Sequence, residues 1–252
     1  MILTPLTFLI VCPMLFLAGF VDSIAGGGGL ISLPAYMLAG LPIHNAIATN
    51  KLSSSCGTSL SLMRFIKHKL INFKVAIPAV IAGMFGSYFG ARLSLFIKEI
   101  YLRQLLLVIL PVAAFIVLNK KLFKDNGKTE VEVNTRTILV VIVSALVIGM
   151  YDGLYGPGTG TFLIIAFTTF AKMGIGPANA HTKAINTATN LSSLVVFILS
   201  GQVIIALGIA AAVCNMLGNY VGSGLAMKKS TRITKPIILT VLLLLLIKII
   251  LS

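Results

Sequence analysis

The sequence at residues 19–29 reads GFVDSIAGGGG, and residues 149–160 read GMYDGLYGPGTG. In both stretches an apolar run ends in an aspartate, Asp22 or Asp152, and glycines follow. Glycine loosens a helix, and Pro157 in the second stretch removes a backbone donor and clashes with the preceding turn. The two stretches therefore predict two interrupted helices, one near the start of each half of the chain.

Two more pairs of sequences follow in the same order. ATNKL begins at Ala48 and AHTKA at Ala180, while GSYFGARL begins at Gly86 and GNYVGSGL at Gly218. In both pairs the second copy follows the first by 132 residues. Ordered matches centred on polar residues and glycines rarely arise from apolar composition alone, so we interpret the chain as an internal duplication.

The composition places the chain in a membrane. Of its 252 residues, 58% are hydrophobic and 10% are charged, and the mean hydropathy is +1.04. Soluble domains are about one-quarter charged, and a water-soluble chain could not bury this much apolar surface. We therefore expect an all-α polytopic membrane protein with roughly 8–10 membrane segments, some of them broken or short.

The hydrophobic segments support this expectation by their length. A spanning helix needs about 20 apolar residues. Segments near that length occupy residues 2–21, 73–97, 100–118, 137–150, 204–227 and 236–251. Shorter or more polar segments occupy residues 30–41, 46–66, 162–173 and 184–199.

A polar stretch at residues 119–136 divides the chain near its midpoint. It predicts a first transmembrane repeat at residues 1–118, a cytoplasmic linker at 119–136 and a second repeat at 137–252. The linker and the regions around Lys67 and Lys229 are rich in Lys and Arg, which concentrate in cytoplasmic loops. Five crossings per half would place all three in the cytoplasm, and an odd number inverts the second repeat. If the two shortest segments, at residues 30–41 and 162–173, are re-entrant, eight crossings remain. The region around Lys229 would then lie outside the cytoplasm, against the preference of Lys and Arg for cytoplasmic loops.

The net charge of +14 is explained by the same loops, so we expect no nucleic-acid partner. The three cysteines are widely spaced and match neither a disulfide framework nor a metal-binding pair. No nucleotide-binding motif is present: no strand precedes the glycines at residues 26–29, and no GK[ST] follows them. We therefore expect no metal and no cofactor.

Asp22 and Asp152 occupy equivalent positions in the two repeats. A carboxylate at a helix end is usually an interfacial cap, but a matched pair beside glycine breaks also suits proton coupling. A helix that restarts after such a break presents free N–H groups and its positive end, which favours an anion. The alternative is a tight bend between packed helices. The glycines assigned to the substrate site are Gly26, Gly27, Gly28, Gly29, Gly156 and Gly158.

Lys51 and Lys183 begin the most specific pattern. At helical spacing, Lys51 shares a face with Ser54, Ser55 and Thr58, and Lys183 shares one with Asn186, Thr187 and Asn190. An unpaired lysine at the bilayer centre costs roughly 2.5–3.5 kcal/mol on insertion scales. A counter-charge is therefore expected for each, either Asp22 or Asp152, a substrate anion, or both in turn. The alternative is that each lysine snorkels to the headgroups.

GSYFG at residues 86–90 and GNYVG at residues 218–222 are GxxxG motifs. Such motifs let helix backbones approach closely. We interpret both as packing sites rather than as substrate contacts.

The sequence DSIAGGGGLISLPAYMLAGLPIHNAIATNKL, with its divergent copy in the second half, resembles the TauE/SafE family of membrane permeases, the sulfite exporters. The resemblance runs over nearly the whole chain. It implies transport of sulfur-containing oxyanions or organosulfonates, such as sulfite or sulfoacetate, across the bacterial inner membrane. It also adds Asn50 to the substrate-binding residues; the second repeat has Thr182 at that position.

Together the pattern and the resemblance predict a multi-pass secondary transporter, in which a small anionic solute binds between the halves and protons could drive the cycle. Two alternatives keep the same architecture: an anion channel, and a membrane accessory protein that transports nothing. An intramembrane enzyme would need a nucleophile–base set or a motif such as HExxH, and the sequence contains neither.

Overall fold

The computed structural model describes residues 3–118 and 130–227, and this part of the chain is helical without β-strands. Its elements are α1 (Pro5–Ala25), α2 (Gly29–Leu38), α3 (Ile43–Lys67), α4 (Phe73–Phe96), α5 (Glu99–Leu118), α6 (Thr135–Leu154), α7 (Thr159–Thr169), α8 (Ile175–Leu199) and α9 (Ile205–Met227). The protein is an all-α polytopic membrane protein, as predicted.

Four of the described helices, α1, α4, α6 and α9, are long and apolar enough to cross a membrane. Helices α3 and α8 are also long, at 25 residues each, but carry the polar faces predicted from the sequence. The two glycine breaks separate α1 from α2 and α6 from α7, and α2 and α7 are short, at 10 and 11 residues.

Some segment boundaries differ from those predicted. Helix α8 begins at Ile175 rather than at residue 184, because Pro177 lies in the first turn, where its missing N–H costs no helical hydrogen bond. Helix α6 begins at Thr135, inside the predicted linker, because the side chain of Asn134 caps it by accepting from the backbone N–H of Thr137. The predicted segment at residues 236–251 lies outside the described residues.

The GxxxG motifs are packing sites, as predicted. In α4, a Cβ added to Gly86 would lie 2.2 Å from the carbonyl oxygen of Leu146 in α6. In α9, a Cβ added to Gly218 would lie 2.0 Å from the carbonyl oxygen of Phe16 in α1. The backbones of α4 and α6, and of α1 and α9, therefore touch within the chain.

Helices α3 and α8 cross the molecule side by side in opposite directions. At one end, the Asn45 side chain near the start of α3 donates to the carbonyl of Gln202, just after α8. At the other end, Asn72, just before α4, donates its backbone N–H to His181, near the start of α8. The two helices that carry the lysines therefore begin on opposite ends of the bundle.

Several basic residues lie together at one end of the bundle. Lys67 at the end of α3 and Lys74 at the start of α4 lie at the end of the bundle where α8 begins. Arg136 at the start of α6 lies there too, because α6 runs parallel to α4: Gly86 meets Leu146, and Gly90 meets Met150. Three basic sites in the described chain thus share one face.

Candidate functional site

The two glycine breaks meet at the centre of the bundle. Gly26 ends α1 in the left-handed conformation, with φ of 75°, and a Cβ added there would lie 2.3 Å from the carbonyl carbon of Gly160. A Cβ added to Gly160 would lie 2.5 Å from the Cα of Gly26. The hydroxyl of Thr161 in α7 also donates to the carbonyl of Ala25 at the end of α1. The two breaks are therefore fixed against each other, one from each half.

Two lysine–aspartate ion pairs flank the breaks, and each joins the two halves. Lys51 Nζ in α3 lies 2.9 Å from Asp152 Oδ2 in α6. Lys183 Nζ in α8 lies 2.6 Å from Asp22 Oδ2 in α1. Both lysines are almost completely buried, at 1% and 0% exposure. They are thus counter-charged within the protein, in line with the expected pairing and against snorkelling to the headgroups.

Lys51 makes a second contact, to the side-chain oxygen of Asn190 in α8, at 3.1 Å. Its partner Asp152 lies 3.0 Å from the hydroxyl of Thr159, the first residue of α7, which can donate to Asp152 or to the carbonyl of Gly156 at 2.7 Å. Four helices, α3, α6, α7 and α8, therefore converge on this pair.

Lys183 makes its second contact to the backbone carbonyl of Asp22, in the last turn of α1. The other carboxylate oxygen of Asp22 accepts from the backbone N–H of Gly28, at 3.4 Å. Asp22 thus links α8 to the first glycine break through one side chain.

A small polar cavity of about 30 Å³ lies between the ion pairs. Its volume is enough for a water molecule or two. From the first half it is lined by Asp22, Gly26, Gly28, Gly29, Asn50, Lys51, Ser54 and Thr58. From the second half it is lined by Asp152, Gly156, Thr159, Gly160, Asn186, Asn190 and Asn215. Most residues predicted for the substrate site are therefore brought to one place.

Five predicted residues lie near the cavity without lining it: Gly27, Ser55, Gly158, Lys183 and Thr187. Ser55 and Thr187, each four residues after its lysine, donate their hydroxyls to that lysine's backbone carbonyl at 2.7 and 2.8 Å. Gly158 caps α7 with φ of 87°, a conformation that a side chain would strain. These residues shape the helices around the cavity.

Asn186 stands out among the cavity residues. It is 5% exposed, and its side-chain oxygen has no hydrogen-bond partner within the described part of the protein. A buried polar atom without a partner is costly, so a water molecule or a ligand in the cavity is its expected partner.

Sequence reasoning did not select Thr159, Gly160 or Asn215. Thr159 and Gly160 could have been found, because they lie within the predicted glycine break at residues 156–160. Asn215 lies in apolar α9, and the 132-residue offset between the repeats places Gly83 at the equivalent position. Its side chain donates to the carbonyl of Leu15 and accepts from Asn219. The lone signal for Asn215 was an amide within an apolar helix.

Comparison with known proteins gives consistent matches. The family model described as "Sulfite exporter TauE/SafE" matches residues 11–249. A "Probable membrane transporter protein ORF9" from Sinorhizobium sp is 34% identical, over 90% of this chain and 85% of its own length. The "Probable membrane transporter protein YfcA" of Escherichia coli K12 is 34% identical, over 89% of this chain and 82% of its own. A "Probable membrane transporter protein" of Haemophilus influenzae is 30% identical, over 88% and 86%. No solved structure matches significantly.

Proposed function

Because the chain belongs to the TauE/SafE sulfite exporter family of membrane transporters, we propose that it is a secondary transporter of small anions with its binding site in the central cavity. The observation that carries this proposal is Lys51, a buried ammonium group that lines the cavity between Asp152 and Asn190. A desolvated cation beside hydroxyl and amide groups suits an oxyanion, which accepts several hydrogen bonds at once.

The substrate class follows from the same groups. Ser54, Thr58 and the amides of Asn50, Asn186 and Asn190 line the cavity with Lys51. The amide N–H groups can donate to a compact oxyanion, as can the two hydroxyls once they turn from their acceptors in α3. We propose a sulfur-containing oxyanion or a small organosulfonate, with sulfite and sulfoacetate as the compounds to test first. The protein acts in the bacterial inner membrane, without a cofactor and without chemical change to its solute.

Charge balance supports coupling to protons. Lys51 and Asp152 face Asp22 across the cavity, and Lys183 lies behind Asp22. These four groups sum to zero when all are ionised, so an entering anion would leave the site negative. Uptake of a proton by Asp152 or Asp22 restores neutrality, and burial of a net charge is avoided.

The arrangement of the helices supports two inverted repeats that alternate in access. α1 packs on α9 as α4 packs on α6, and these contacts exchange when the halves at residues 1–118 and 137–252 are exchanged. The lysine helices α3 and α8 run in opposite directions. We assign the basic end with Lys67, Lys74 and Arg136 to the cytoplasm.

Flux through proteoliposomes tests the proposal. The purified protein is reconstituted and given sulfite, sulfoacetate, a simple alkylsulfonate, sulfate and a small carboxylate, with and without a pH gradient. We expect saturable flux of a sulfur anion that responds to the gradient. Flux that rises linearly with concentration and ignores the gradient would indicate a channel, and no flux of any anion would indicate an accessory role.

Lys51→Met tests the site itself. Loss of the ammonium group should abolish anion flux while the protein still inserts. Lys74→Met is the matched control, because Lys74 is exposed at the start of α4, outside the cavity. Unchanged flux in Lys51→Met would contradict the site assignment.

A further inference from the structure

The two ion pairs occupy equivalent positions in the repeats but have different surroundings. Lys51 lines the cavity, whereas Lys183 lies behind Asp22 and does not reach the cavity wall. Lys183 is 0% exposed, and its partner carboxylate rather than its own ammonium group faces the cavity. An anion in the cavity can therefore contact Lys51 directly, but meets Asp22 before Lys183.

The contacts of Lys183 hold α1 in place. Its ammonium group donates to the side chain and to the backbone carbonyl of Asp22. A cation at the C-terminal end of a helix also interacts favourably with the helix dipole. Because Asp22 in turn accepts from the N–H of Gly28, this pair sets the geometry of the first glycine break.

An anion can replace Asp152 as the partner of Lys51. If Asp152 moves away from Lys51, the hydroxyl of Thr159 remains within reach, although it can also donate to the carbonyl of Gly156. Lys51 then keeps Asn190 as a partner and has an ammonium hydrogen free for an anion. Lys51 thus retains a hydrogen bond when the pair separates, and Asp152 keeps a hydroxyl donor within reach.

We propose that the two pairs have different roles: Lys51 binds the transported anion in exchange for Asp152, whereas Lys183 is a positioning residue that, with Asp22, braces the first glycine break. This inference rests on the proposed function, because it divides the tasks within the same site. On this division Asp22 stays neutralised by Lys183, so the proton that balances the entering anion goes to the displaced Asp152.

Two double variants test the division. K51Q/D152N and K183Q/D22N each replace one ion pair with two neutral amide side chains, so that neither leaves a buried charge without a partner. Sulfite flux is measured in proteoliposomes over a range of concentrations. Sulfite-dependent thermal stabilisation is measured on the same preparations, since a ligand that binds the native state raises its melting temperature.

The two variants should separate affinity from rate. In K51Q/D152N we expect the apparent KM for sulfite to rise about tenfold or more, the effect of losing one charge-assisted hydrogen bond, and the sulfite-dependent stabilisation to disappear. In K183Q/D22N we expect a lower maximal rate with KM within about twofold of the parent, because the ligand contact remains and the break is less well positioned. The reverse pattern, or equal loss of affinity in both, overturns the inference.

Locating a bound anion in a chain that keeps both ion pairs tests the inference even if a double variant fails to fold. Selenite has the shape of sulfite and can be located by anomalous scattering. Cys12, Cys56 and Cys214 are replaced by alanine, because thiols reduce selenite. We expect the selenium peak within hydrogen-bonding distance of Lys51 Nζ, and a peak bound to Lys183 Nζ instead would overturn the inference.

The proposed function fails in a different way. If the parent protein moves none of the sulfur anions and binds no selenite, the transport proposal is wrong, and the division of roles falls with it. If the parent transports sulfite but the peak or the KM change appears at Lys183, the transport proposal stands and the division of roles is wrong.

Discussion

Gly26 and Gly160 touch backbone to backbone where the two interrupted helices meet. A Cβ on Gly26 would lie 2.3 Å from the carbonyl carbon of Gly160, and one on Gly160 would lie 2.5 Å from the Cα of Gly26. The contact joins residues from opposite halves of the chain and forms part of the cavity wall. The geometry leaves no space for any side chain at this crossing.

Gly160→Ala should therefore impair both stability and transport. The added methyl group would press on Gly26 and on the side chain of Asn186, which lies 3.0 Å from its position. Overpacking of this kind costs about 1–3 kcal/mol, and more where only backbone could give way. We expect a lower melting temperature in detergent and reduced sulfite flux.

Gly176→Ala is the matched control. Gly176 lies in the first turn of α8, and a Cβ there meets nothing within 4 Å. Alanine favours helix over glycine but is disfavoured in a helix directly before Pro177, so the melting temperature should change only slightly. If both variants behave alike, the close contact at Gly160 does not matter for the protein.

Asn215→Ala should weaken anion binding. Asn215 lines the cavity, and its amide is fixed by Leu15 and Asn219. Its removal takes one polar group from the wall and leaves the Asn219 amide without its side-chain acceptor, at a cost of about 1–3 kcal/mol. We expect a higher KM for the transported anion and a moderate loss of thermal stability.

The comparison for this variant is Asn45→Ala. Asn45 also donates a part-buried hydrogen bond, 2.8 Å to the carbonyl of Gln202, but it lies away from the cavity. The Asn45→Ala variant should be less stable than the parent, with the same KM for the transported anion. A KM change of the same size in both variants would argue against a role for Asn215 in the site.

Gly90→Leu should separate α4 from α6. A Cβ on Gly90 would lie 1.9 Å from the carbonyl oxygen of Met150, and a leucine is far larger. We expect little folded protein by size-exclusion chromatography. Phe89→Leu, at a neighbouring position that is 59% exposed toward the lipid, should yield normal amounts; normal yield from Gly90→Leu would mean that the two helices can move apart.

Cysteine labelling tests the inverted arrangement. In a background without Cys12, Cys56 and Cys214, single cysteines are placed at Gln202 and at Lys229. Gln202 lies at the end opposite the basic face, whereas Lys229, outside the described residues, is predicted from the sequence to be cytoplasmic, so we expect an impermeant thiol reagent to reach them from opposite sides. Labelling of both from the same side would exclude inversion.

Much of the site followed from helical spacing. The i, i+3 and i+7 positions from each lysine lead to Ser54 and Thr58 on α3 and to Asn186 and Asn190 on α8, and all four line the cavity. The i+4 positions, Ser55 and Thr187, do not line it; each donates its hydroxyl to the carbonyl four residues earlier, as the cavity-lining Thr58 also does. Spacing alone does not distinguish these two outcomes.

The pairing of the charges lay beyond the sequence. Helical periodicity predicts which side of its helix Lys51 occupies. Whether Asp22 or Asp152 is the counter-charge of Lys51 depends on how the two halves pack. That packing depends on contacts such as Gly86 with Leu146, which bring together residues distant in the chain. The start of α8 was missed for a local reason, since the glycines and proline at residues 174–177 also suit a loop.

The crossed ion pairs have a consequence for biosynthesis. When the first half enters the membrane, Lys51 and Asp22 are already in place, but their native partners, Asp152 and Lys183, have not yet been translated. The two early charges must stay hydrated, contact a helper, or pair with each other in an arrangement that later has to be undone. The nascent protein therefore lacks a partner for at least one buried charge until α8 has been inserted. A chain truncated before that point leaves a charge in the bilayer that cellular quality control can recognise.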